Sequence, residues 1–132
     1  MNRLLLYLAL SLIWLPGQAG AVELYERSGE PPVILTPAPE ADRPDLAVDH
    51  YRKAGGALVG VARGIIIKTT AGLDLQPLLA DLELSRVKVL GPDMVLVETA
   101  DRSLTLDTVH RLNQTEGVLY SHPDYVRRIH PR

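Results

Sequence analysis

From residue 64 onward the apolar and polar positions fall into short regular patterns. Gly64 to Thr69 holds Ile65, Ile66 and Ile67, a β-branched run that suits a central strand. Thr70 to Gly72 reads as a turn. Asp74 is placed to cap a helix, and Pro77 is tolerated in its first turn. Leu75, Leu78, Leu79 and Leu82 then recur at i, i+3, i+4 and i+7, a one-sided apolar stripe. Arg86 to Leu90 alternates, with Val87 and Val89 on one side and Arg86 and Lys88 on the other. Gly91-Pro92-Asp93 is a strong turn signal, and Met94 to Thr99 supplies the second strand of the same hairpin. Thr105 is the expected cap of a second helix that carries Leu106, Val109 and Leu112 on one side. Gly117 is placed to end that helix in the left-handed conformation, and Val118 to Ser121 forms the last strand.

The predicted order is β-α-β-β-α-β over about seventy residues, the split βαβ arrangement. The expected fold class is therefore α+β and ferredoxin-like: one four-stranded antiparallel sheet with two helices on one face. The other face is left open. Ile66, Leu119 and one side of the Met94 to Thr99 strand are available to line it, and an exposed apolar patch of that kind marks an interface. Which strand face points outward stays open, because a one-residue shift exchanges the two.

The first 60 residues read differently. Arg3, the apolar Leu4 to Leu15 and the small residues Ala19-Gly20-Ala21 form a secretory signal peptide over residues 1–21. Its apolar run of about twelve residues is short of the ~20 that span a bilayer. The chain has no cysteine, so no lipid anchor is expected at the new N-terminus and no disulfide in the exported part. Residues 22–60 read as a flexible leader. Pro31, Pro32, Pro37, Pro39 and Pro44 fall within fourteen residues, followed by Gly55, Gly56 and Gly60. Proline removes donors and fixes φ, so an extended, poorly ordered linker is expected. A short strand at Val33 to Leu35 is the one exception, with nothing obvious to pair with. Residues 61–132 then make up the folded domain and a C-terminal tail.

Charge and composition narrow the function. The formal charge of the 132-residue chain is −2, and it becomes −3 without the signal. Nothing in that balance draws the protein to nucleic acid, and no membrane contact is expected once the signal is removed. No G-x-S-x-G, HExxH or P-loop motif occurs, and a metal-carrier version of the topology needs a CxxC that is absent. No pair of His50, His110, His122 and His130 has the i, i+4 spacing of ligands on one helix face. Asp81 and Glu83 read as solvated carboxylates. No catalytic residue, metal or cofactor is expected, and the protein is not expected to be an enzyme. It is expected to act through contact with another protein.

The end of the chain points to what kind of contact. Gly117 to Arg132 reads GVLYSHPDYVRRIHPR, an apolar strand that leads into a basic extended tail. Val118, Leu119, Tyr120, Ser121, His122, Pro123, Asp124, Tyr125 and Val126 resemble the closing motif of subtilisin propeptides, the intramolecular chaperone and inhibitor domains of subtilisin-like serine proteases. Arg63 to Lys68 is similar to that family's opening strand, and the resemblance covers about residues 62 to 130. It implies that the open sheet face packs on two surface helices of a protease while the tail, Val126, Arg127, Arg128, Ile129, His130, Pro131 and Arg132, runs through the substrate cleft like a product. It implies further that Asp124 caps the N-termini of those helices, where unpaired N–H groups and the dipole favour negative charge. A second acidic position of the family falls on His122, which implies weaker binding in acid. Aligned on Asp124, His130 takes the terminal position; with Arg132 in the primary specificity pocket, Ile129 lies three residues upstream. Both registers stay open.

The expectation is a secreted or periplasmic, stand-alone inhibitor or folding chaperone acting in trans on a subtilisin-like serine protease. The alternative is a generic exported binding module of the same fold that recognises an unrelated protein by its sheet face or edge.

Overall fold

A computed structural model describes residues 20–27, 30–43 and 45–126. The strongly patterned half of the chain folds much as its periodicity dictates. In chain order the elements are β1 (Val22–Leu24), β2 (Val33–Pro37), β3 (Asp49–Lys53), β4 (Leu58–Val61), β5 (Gly64–Thr69), α1 (Leu75–Ala80), β6 (Leu84–Gly91), β7 (Met94–Thr99), α2 (Thr105–Asn113) and β8 (Val118–Pro123), with short 3-10 turns at Pro39–Ala41 and Arg102–Leu104. The protein is α+β, with two antiparallel four-stranded sheets in the orders β1-β2-β3-β4 and β6-β7-β5-β8.

In the second sheet the period of two decides which side chains are buried. Ile65 and Ile67 of β5 face Val97 and Val95 of β7 across the ladder, and all four are buried. Val109 and Leu112 of α2 pack on them. Helix α1 starts where expected: the Gln76 N–H donates to Asp74 Oδ1 at 3.1 Å, which satisfies one of the orphan donors of the first turn. This helix is shorter than its leucine stripe. It ends at Ala80, and Leu75, Leu78, Leu79 and Leu82 are only half-buried against the core. The helix layer therefore leaves β6 uncovered. Val87 and Val89 lie opposite Val97 and Val95, on the core side of the sheet, yet Val89 is 71% exposed.

Two local readings change. Thr105 does not cap α2. Its hydroxyl donates to the Ala62 carbonyl at 2.6 Å and lies 3.2 Å from the Thr99 hydroxyl, inside the fold. The capping role passes to Asp101, whose Oδ1 accepts from the Ser103 N–H at 2.8 Å at the head of the preceding 3-10 turn. Gly117 is left-handed, with φ +92°, but α2 ends at Asn113 and the glycine closes the turn before β8. The positive φ is what favours glycine there; an added Cβ would meet the Leu73 methyls at 2.8 Å, the end of a flexible side chain that can move aside.

The largest correction concerns residues 22–60, which are a four-stranded sheet rather than a poorly ordered leader. The prolines punctuate this sheet instead of dissolving it. Pro37 is the last residue of β2, Pro31 and Pro32 precede that strand, and Pro39 opens a 3-10 turn, where a missing N–H is tolerated. Gly55 and Gly56 lie in the β3–β4 hairpin turn. Strand β2 pairs on both sides, with β1 and with β3. Leu24, Leu35 and Val59 join Ile65, Ile67, Val95, Val97, Val109 and Leu112 in one buried cluster. Burying a leucine fully contributes roughly 1.5–3 kcal/mol, enough to hold short strands that local propensity alone does not. The expected single sheet is accordingly one of two that share a core.

Candidate docking surface

The side of the second sheet turned away from this core carries the side chains of alternate positions. Lys88, Leu96, Ile66 and His122 form one cross-strand row, and Met94, Lys68 and Tyr120 lie in the next. Arg86 and Glu98 face each other at the near end of β6 and β7. Tyr120 and His122 stack, with ring centroids 5.7 Å apart and planes 11° from parallel, and the Arg27 guanidinium sits 4.8 Å from the Tyr120 centroid. The His122 ring nitrogen Nδ1 donates to the Pro123 carbonyl at 2.9 Å. Ile66 and Leu96 are half-buried. Leu119 falls at a bulge where β5 and β8 change register, has no residue opposite it on β5, and is exposed. The other exposed apolar side chains of this sheet, Val87, Val89 and Leu90, lie along the outer strand β6, with Val87 and Val89 on the core side.

The closing strand continues through Asp124 and Tyr125 to Val126, the last described residue. The Asp124 N–H donates to the Gly64 carbonyl at 2.9 Å. The Asp124 side chain is exposed and makes no hydrogen bond or ion pair among the described residues, so its carboxylate is available to an outside donor. Val126 is not a free tail residue. It pairs with Gly60 of β4, each donating its N–H to the other's carbonyl at 2.8 and 2.9 Å. The remaining tail positions, 127–132, lie outside the described residues, as do residues 1–19 of the expected signal peptide 1–21. Val118 and Tyr120 are half-buried within β8.

Several contacts that no local signal announces hold this strand in place. Asn113, at the end of α2, accepts from the Ser121 N–H at 2.7 Å and donates to the Ser121 carbonyl at 3.0 Å and to the Tyr25 carbonyl. Tyr125 donates its hydroxyl to Glu26 at 2.7 Å, and the Lys53 ammonium lies 4.6 Å from the Tyr125 ring centroid. Burial, helped by the Glu26 carboxylate, pushes the Tyr125 hydroxyl well above the ordinary tyrosine range, so it stays protonated and donating.

A second polar region lies where the first sheet meets the 3-10 turn at residues 102–104. His50 is buried, and its Nδ1 donates to Asp42 Oδ1 at 2.8 Å. The backbone N–H of His50 donates to the same oxygen at 2.8 Å. These hydrogen bonds hold the Asp42 carboxyl below its ordinary value. Arg102 Nε donates to Asp49 Oδ1 at 3.2 Å beside a cleft of about 390 Å³ that Arg63, Asp101 and Ser103 also line. Among the described residues no three His, Cys, Asp or Glu side chains stand together at metal-binding spacing. No helix among them is long and apolar enough to cross a membrane. The chain matches no protein-family model, no curated protein and no solved structure.

Proposed function

We propose that this protein is an inhibitor or folding chaperone of a subtilisin-like serine protease, exported by its N-terminal signal. In this reading β5–β8 with α1 and α2 form a ferredoxin-like unit whose open face docks on the enzyme. The observation that carries the reading is the second sheet itself. Its order β6-β7-β5-β8, with helices after its first and third strands, suits the split βαβ arrangement. Its last strand runs straight into the basic segment, beside a face its own helices do not cover. The unpartnered Asp124 carboxylate at that end is available to meet the N–H groups of a helix terminus.

The test is an inhibition assay with the purified chain against subtilisin-like proteases. Tight inhibition is expected, and removing residues 127–132 should weaken it by at least about tenfold, the equivalent of 1.4 kcal/mol. Asp124→Ala should weaken it by about 1 kcal/mol, as loss of a cap does. A truncated chain as potent as the full one would end the reading.

One observation favours a second reading, a binding module with another partner. The exposed apolar side chains Val87, Val89 and Leu90 sit on the outer strand β6, whose free edge offers backbone donors and acceptors. Binding that survives loss of residues 127–132 and fails on Val89→Lys would support it.

A further inference from the structure

We infer that residues 25–27, Lys53 and strand β4 form a clasp on the approach to the tail, so that the unit presenting the tail extends back through the first sheet instead of starting at residue 61. Four contacts from the N-terminal region converge on residues 120–126, and a fifth reaches Asn113, the side chain that holds Ser121. Arg27 bridges Tyr120 on the outer edge of β8. Tyr25 receives the Asn113 amide, Glu26 receives the Tyr125 hydroxyl, and Lys53 covers the Tyr125 ring. Gly60 then exchanges both backbone hydrogen bonds with Val126. That last approach depends on glycine. A Cβ at position 60 would lie 2.5 Å from Val48 Cγ1 and 3.1 Å from the Val126 carbonyl oxygen.

The physical consequence follows from entropy. A peptide that is ordered on binding loses conformational freedom at that moment, whereas one held extended beforehand has already lost it. The Tyr125 hydroxyl and the N–H and C=O of Val126 are engaged before any partner arrives. For a protease cleft the clasp would set the point from which residues 127–132 continue, and this consequence rests on the function proposed above. The clasp itself does not.

The test uses the full mature chain with Tyr125→Phe, Glu26→Gln and Gly60→Ala, read by amide hydrogen exchange at Val126 and by inhibition. In the wild type the Val126 amide should be protected. Tyr125→Phe should speed its exchange by about tenfold, the equivalent of one ordinary hydrogen bond, and Glu26→Gln, which keeps an acceptor for the Tyr125 hydroxyl but loses the charge, by less, while the Ile65 and Val97 amides keep their rates. Should Gly60→Ala fail to fold, the two milder variants carry the test. A Val126 amide exchanging at the rate of a free peptide, or at the same rate in wild type and variants, would overturn the clasp. Faster exchange with unchanged inhibition would overturn its part in presenting the tail. A wild-type chain that inhibits no protease would defeat the proposed function, while the exchange rates still decide the clasp.

Discussion

Strands β5 and β7 bury a side chain at every second position, Ile65, Ile67 and Thr69 on one and Val95, Val97 and Thr99 on the other. Strands β1, β2 and β3 bury one each: Leu24, Leu35 and His50. One sheet is specified by its own alternation and would bury an apolar face against almost any cover. The other buries its apolar side chains unevenly, one each from β1 and β2, Leu24 and Leu35, and two from β4, Val59 and Val61. It is held because Leu24, Leu35 and Val59 enter the cluster that β5, β7 and α2 create. The difference teaches that a proline-rich stretch can be folded without looking folded, where prolines such as Pro37 and Pro39 stand at a strand end or a turn and a neighbour supplies the core.

That comparison is most directly broken at Leu35. Leu35→Ala removes a fully buried side chain and should cost about 2–5 kcal/mol. In urea, amide signals from both sheets should still disappear in one transition, shifted to lower denaturant. If β1–β4 melted first and β5–β8 kept their own midpoint, the two sheets would be separate units and the shared core would not couple them.

Asn113→Ala tests the joint between the regions. The substitution removes both hydrogen bonds to Ser121 and the one to Tyr25, and should cost about 1–3 kcal/mol. Chemical denaturation measures the loss. An effect under about 0.5 kcal/mol, the level of an ordinary surface change, would mean that β8 and the N-terminal segment are held by packing alone.

The smallest effect is expected at Asp42. Its folded carboxyl titrates below the ordinary 3.8, first because the His50 ring donates to it. A depressed carboxyl pKa contributes stability at pH above the unfolded value, and that contribution is lost as pH falls through the folded value. The stability difference between wild type and Asp42→Asn should therefore be level above about pH 5 and shrink in acid below 3.8. Asp42 is largely solvated, so the difference will be modest. A difference that grows as the pH falls would reverse the assignment.

How much could be read in advance varied with how local the cause was. The Asp74 cap, the Gly91-Pro92-Asp93 turn and the strands around it depend on neighbours within a few residues, and they stand where the pattern puts them. Thr105 has the composition of a cap, yet its hydroxyl is drawn to the Ala62 carbonyl 43 residues away. Gly60 reads as part of a flexible leader, and instead its lack of a Cβ lets Val126 approach. Asn113 carries no local signal at all, because its partners Ser121 and Tyr25 come from different parts of the chain.

Periodicity alone thus determined the order of strands and helices from residue 64 to residue 123, since side-chain alternation and i, i+3, i+4 spacing act between near neighbours. Tertiary structure decided the rest: that residues 22–60 form a sheet, that His50 is buried against Asp42, and that the chain after β8 is held at Val126. Each of those depends on a surface that exists only once the second sheet has formed, and no short window of sequence contains it.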